Sequence, residues 1–193
     1  RQAGTGAMTN LIERFKTLAL ANPLNATILK RLPLLGATEP WLTAGCLYQA
    51  VWNAHDGKPP EWGIKDYDVF YWDDDTSWEA EDAVIRRAAM LFADLDAEIE
   101  IRNQARVPLW FEEKFGAPYP PVTCPEDGIG RFLVACTCVG LSPSGAVCAP
   151  YGLEDMFAGR LALNPNTPNP SLFRAKAETY RARWPWLEIV DPA

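Results

Sequence analysis

The chain carries a single histidine, His55, and this one scarcity removes several chemistries. A Ser-His-Asp or Cys-His arrangement needs a histidine beside its nucleophile, and His55 lies in a polar loop with Asp-Gly and Pro-Pro pairs. Zinc sites draw on paired cysteines and histidines. Here there is no Cys-x-x-Cys, only Cys136-x-Cys138 among apolar neighbours, which reads as buried thiols. No Gly-x-x-x-x-Gly-Lys run occurs. Gly128-Ile129-Gly130 lacks the third glycine of a dinucleotide fingerprint. Five cysteines are an odd number and no secretory segment is evident, so reduced thiols and a cytoplasmic location are expected. No apolar run is long enough to span a bilayer, so no membrane partner is expected. Basic excess is lacking as well. At a net charge of −7 the chain repels a phosphate backbone, which argues against nonspecific nucleic-acid binding but leaves room for a local basic patch.

What is present is an ordinary globular composition, 193 residues long and rich in tryptophan, with eight. Residues 1–8 are small and polar up to Met8 and read as a tag or frayed tail. Residues 9–193 are expected to form one domain, with a C-terminal subdomain from about residue 122 as the alternative. Helical spacing runs over 9–21, 25–35, 46–54, 78–94, 105–115 and 171–183, with shorter helices at 126–133 and 153–161. Thr76 followed by Glu79 suggests a capping box for the fourth of these. Strands are expected near 41–45, 64–72, 97–103 and 136–141, the last pairing back with 146–149. Trp52 and Trp110 are expected to be buried.

The central strand carries the chemistry. Tyr67, Val69 and Tyr71 point one way, while Asp66, Asp68 and Phe70 point the other. Two carboxylates at this spacing share a face about 7 Å apart. Taken alone they suit the solvent face of an edge strand. Their surroundings suggest more, because carboxylates that converge this way can bind a pair of divalent cations about 4 Å apart. A third acid is available from the next strand, where Glu98 and Glu100 share a face. Upstream, Leu42-Thr43-Ala44-Gly45-Cys46 reads as a strand that turns through glycine into a helix, whose first free N–H groups can hold phosphate oxygens. Arg102 and Arg106 suit either phosphates or surface ion pairs. Lys65 is expected to face away from Asp66. Arg174, Lys176, Arg181 and Arg183 read as a solvated helix face, or alternatively as a surface for an acceptor. Asp73-Asp74-Asp75 and Asp155 are read as stabilising helix starts.

These stretches resemble the DNA polymerase beta superfamily of nucleotidyltransferases. The chain is more closely similar to a family of bacterial nucleotidyltransferase-like proteins. The matching segments are Ala44-Gly45 with Val51-Trp52, Lys65 to Val69 with Trp72-Asp73, Arg102 to Val107 with Leu109-Trp110, and Ala149 to Leu153 with Asp155. Asn164-Pro165 and Lys176 with Arg183-Trp184-Pro185 complete them. The resemblance implies an α/β (α+β) nucleotidyltransferase-like fold, a small mixed sheet flanked by helices. It implies transfer of a nucleoside monophosphate from an NTP to an acceptor hydroxyl, the acceptor being unknown, with Mg²⁺ or Mn²⁺ as cofactor. Carried over, Asp66 and Asp68 are the metal-binding and catalytic acids. Glu100 is the third because it adjoins Arg102-Asn103-Gln104, with Glu98 as the alternative. Gly45, Cys46, Arg102 and Arg106 are the nucleotide- and phosphate-binding candidates. Cys46 stands where the wider superfamily often has serine, and Pro108 where the closer family has histidine. A non-catalytic nucleotide-binding or interaction module and a metal-dependent phosphohydrolase are the rival functions.

Overall fold

The computed structural model describes residues 3–116 and 118–191. Helix α1 (Ala3–Leu20) begins earlier than its apolar spacing indicates, so residues 3–8 continue it, while Arg1 and Gln2 lie outside the described residues. Helix α2 (Pro23–Arg31) opens with proline at its start, where the missing N–H costs nothing, and the Asn22 side chain caps it by accepting from the Leu24 N–H at 2.9 Å. A 3-10 turn follows at Leu32–Leu35. Then come β1 (Thr38–Thr43), α3 (Gly45–His55), β2 (Asp66–Trp72), α4 (Trp78–Leu91), β3 (Glu98–Asn103) and α5 (Val107–Phe115).

The last third consists of α6 (Pro125–Ile129), β4 (Gly140–Leu141), β5 (Val147–Cys148), α7 (Glu154–Ala158), β6 (Arg160–Leu161), α8 (Pro170–Arg183) and β7 (Glu188–Ile189). Of these, α6, α7, β4 and β5 are shorter than the sequence suggests. The strand expected over 136–141 forms only at Gly140–Leu141, after a 3-10 turn at Ala135–Thr137 in which the Thr137 hydroxyl donates to the Val134 carbonyl at 2.7 Å. The helix expected to 161 stops at Gly159, whose φ of 71° ends it in the left-handed conformation.

The main sheet has five strands in the order β3-β2-β1-β4-β5. Strands β2 and β3 are parallel and the other pairs antiparallel, so the sheet is mixed, as expected. The segment after residue 122 supplies β4 and β5 to this same sheet. Strand β2 alternates as its sequence dictates: Tyr67, Val69 and Tyr71 are buried, and Asp66, Asp68 and Phe70 lie on the opposite, half-buried face. The core joins this inner face to α3, which is buried through Asn53 and brings Trp52 against Tyr48, Tyr180 and Trp184. Trp52 is fully buried as expected, and its indole N–H donates to the Met156 carbonyl at 3.1 Å.

Helix α4 is capped by Ser77, which accepts from the Ala80 N–H at 3.2 Å, rather than by Thr76. The acidic run before it is local turn chemistry. Asp73 accepts from the Asp75 N–H and Asp75 from the Ser77 N–H. No described helix is long and apolar enough to cross a membrane.

Candidate active site

The antiparallel register pairs Thr43 with Asp68, so the turn from β1 into α3 lies beside the two aspartates. That turn is strained. Ala44 sits at φ 61° and ψ −131°, a conformation glycine adopts freely and alanine does not. Its N–H donates to the Val139 carbonyl at 3.1 Å and its carbonyl accepts from the Leu47 N–H at 3.0 Å, which holds the strain in place. The turn directs the start of α3 toward the cleft, and the first N–H groups of a helix have no partner within it. A Cβ on Gly45 would come within 2.8 Å of Gln49 Nε2, so a larger residue there would make the Gln49 amide shift.

Ala44, Gly45, Asp66 and Asp68 line one cleft of about 710 Å³. Its charged residues are Lys65, Asp66, Asp68, Arg131, Lys176 and Arg183, four cations against two anions. The cleft is therefore locally positive in a chain whose net charge is −7, which suits an anionic ligand. Burial, then the charges of Asp66 and Glu100, raise the Asp68 carboxyl to about 7, while Arg102 and Lys176 pull it down. The nearby cations do not fully compensate an acid in this state. Its donors are oxygens, the kind that suit Mg²⁺, which commonly completes its shell with water and phosphate oxygens. Among the described residues, no group of three or more His, Cys, Asp or Glu is arranged to hold a metal by itself.

The parallel register sets Glu98 beside Asp66 and Glu100 beside Asp68, so both glutamates share the aspartates' face. Neither lines the cleft, and Glu100 pairs with Arg102 at 3.0 Å. Arg102 faces a separate groove of about 560 Å³, walled also by Glu81 and Trp110. Trp110, expected in the core, is thus half-buried at a groove wall. Arg106 is not brought to the cleft. It is held by Glu81 at 2.9 Å and donates to the Ser77 carbonyl at 3.2 Å, a structural ion pair with little exposure. The Cys46 thiol is also turned away. It is fully buried and donates to the Thr43 carbonyl at 3.5 Å, and burial pushes its pKa up.

Two readings of charge need correction. Lys65 lines the cleft with Asp66, because it precedes β2 and the strand's alternation does not govern it. Helix α8 is not uniformly a solvated face. Arg174 pairs with Asp191 and Arg181 with Glu178, whereas Lys176 and Arg183 enter the cleft. Arg183 is fixed there by donating to Gln49 Oε1 at 2.9 Å and to the Gly63 carbonyl at 2.8 Å. Tyr48 and Tyr180, hydroxyl to hydroxyl at 2.7 Å, complete that wall. His55 is exposed and stacks on Trp186, Asp155 pairs with Arg160, and Cys136 and Cys138 are buried, so none of these joins the site.

The chain matches the nucleotidyltransferase family over residues 30–189. It belongs to that family. Membership makes this nucleotidyltransferase a transferase of phosphorus-containing groups. A solved structure, described as an NMR structure that reveals a CCA-adding enzyme head domain, is similar with a TM-score of 0.69. The identity is 24%, covering 95% of this chain and 96% of that chain, and at that level the likeness carries the fold alone. Among curated proteins none matches.

Proposed function

We propose that this nucleotidyltransferase moves a nucleoside monophosphate from an NTP to an acceptor hydroxyl. The acceptor oxygen forms a bond to the α-phosphorus, the bond from that phosphorus to the bridging oxygen breaks, and pyrophosphate leaves with the electron pair. The carrying observation is that Asp66 and Asp68 share one cleft with the N-terminus of α3 and the cations of α8. Asp66 and Asp68 would hold Mg²⁺ or Mn²⁺, with Glu100 as third acid once it exchanges Arg102 for the cation. A bound divalent cation acidifies the acceptor hydroxyl and offsets charge on the transferring group. The N–H groups of Gly45 and Cys46 accommodate phosphate oxygens. Lys176 and Arg183 neutralise the triphosphate, and Glu100 takes the acceptor proton.

One observation favours a second reading. Glu100 already has Arg102 as partner and no three acids converge among the described residues, which suits a nucleotide-binding module without turnover. Incubation with each NTP and Mg²⁺ or Mn²⁺, read by mass spectrometry, separates the cases. Pyrophosphate with an adduct heavier by one nucleoside monophosphate supports transfer. Intact bound NTP supports the module, and inorganic phosphate without an adduct supports hydrolysis. In the transfer case, the Asp68→Asn variant yields no adduct.

A further inference from the structure

The cleft is not uniform along its length, and the sheet register orders its parts. Because Thr43 pairs with Asp68 in antiparallel fashion, Gly45 lies toward the Asp66 end of β2. In the other direction the same face of β2 continues to Phe70, two residues and about 7 Å beyond Asp68. The Phe70 ring packs against Phe132, centroids 5.9 Å apart and planes 33° from parallel. Phe132 lines the cleft, and so does Tyr119, whose ring lies 4.6 Å from that of Phe111. Along one face the order is therefore helix N-terminus, aspartate pair, aromatic wall.

An NTP has the same order: an anionic tail, an α-phosphate, and a planar ring held off by a sugar. With its α-phosphate over Asp66 and Asp68 and its tail at the start of α3, its nucleoside extends toward Phe132. We infer that Phe132 and Tyr119 form the nucleobase subsite, stacking on the ring of the bound nucleotide. The inference rests on the nucleotidyl-transfer reading and adds which end of the cleft takes which end of the substrate. Burial pushes the Tyr119 hydroxyl up to about 12, so the ring stays neutral and suited to stacking at any working pH. A subsite built from ring faces selects for a planar base more than for one particular base, because every base offers such a face.

The test compares two probes, an NTP and inorganic tripolyphosphate, by calorimetric titration against wild type, Phe132→Leu and Tyr119→Ala. Leucine keeps apolar bulk and loses the ring. Tyr119 lies outside the helices and strands, so its variant keeps the test alive if Phe132→Leu fails to fold. Each variant is expected to weaken NTP binding about tenfold, the loss of one stacking contact, while tripolyphosphate binds as to wild type. Unchanged NTP affinity in both variants overturns the subsite, as does equal weakening for the two probes. So does intact NTP binding with a loss only in acceptor-dependent turnover, which would assign the aromatic wall to the acceptor. Wild type that binds no NTP overturns the transfer reading and the subsite with it, whereas the preceding three outcomes leave transfer standing.

Discussion

Asp68 sets the stability of this protein against its chemistry, and the conflict can be measured. Its carboxyl rises from an ordinary 3.8 to about 7, chiefly through burial and then through Asp66 and Glu100. The folded chain therefore holds a proton on Asp68 between those values where the unfolded chain does not. Stability from this group is complete below about pH 4 and is lost as pH rises toward 7. The full shift corresponds to a ceiling of about 4 kcal/mol, and partial exposure to solvent reduces the expected cost to about 2 kcal/mol. The Asp68→Asn variant keeps the shape and removes the charge. Urea denaturation in the presence of a chelator should find it more stable than wild type by only about 0.7 kcal/mol at pH 5. At pH 8 it should be more stable by about 2 kcal/mol, a midpoint higher by roughly 1 M urea. Added Mn²⁺ should then raise wild type and leave the variant unchanged. A difference between the two proteins that does not grow from pH 5 to pH 8 would refute the reasoning.

Five further substitutions probe other links. Trp52→Ala removes a fully buried indole together with its hydrogen bond to Met156 and should cost about 3–5 kcal/mol in chemical denaturation. Arg106→Leu strands Glu81 in a poorly exposed site and should cost about 3 kcal/mol while leaving NTP affinity unchanged, since Arg106 stands outside the cleft. Ala44→Gly relieves the positive φ and should raise the thermal midpoint, by an amount equivalent to about 1 kcal/mol. Glu100→Gln should weaken Mn²⁺ binding in calorimetric titration while Glu98→Gln leaves it intact; the opposite pattern would reassign the third acid.

The parts legible in the sequence are those governed by local periodicity. Alternation along β2 separates Tyr67, Val69 and Tyr71 from Asp66 and Asp68, and the strand-glycine-helix pattern before it locates the turn at Ala44 and Gly45. That Glu98 and Glu100 share a face was legible for the same reason. Alternation failed at Lys65 because it was extended one residue beyond the strand it describes. Strands of two residues, such as β6 and β7, are too short to leave a periodic signal, and tertiary pairing alone creates them. The basic residues of α8 are indistinguishable by type. What divides them is the chain around them: Asp191 and Glu178 engage Arg174 and Arg181, while Gln49 and Gly63 draw Arg183 into the cleft. Phe132 gave no signal either, since it falls at the end of the helix expected over 126–133, where an apolar residue reads as core. Its place is fixed by contact with Phe70, far away in sequence.

The two substitutions expected to stabilise this protein, Ala44→Gly and Asp68→Asn, fall in the same cleft. Outside the cleft, Glu39 is the one other described non-glycine residue at positive φ, and the rest shows capped helices, an alternating central strand and an enclosed aromatic core. In the cleft it keeps a non-glycine residue at positive φ and, beside Asp66, a half-buried Asp68 whose carboxyl is raised to about 7, each at a cost in folding free energy. Such departures arise where the conformation or the charge is used for something other than folding. The strained turn aims the start of α3, and the incompletely compensated Asp68 favours added positive charge. Both serve the same end of one ligand, an anionic tail that binds with its own cation. The location of the conflict is thus an argument for the site independent of family membership, and the pH dependence of Asp68→Asn tests it directly.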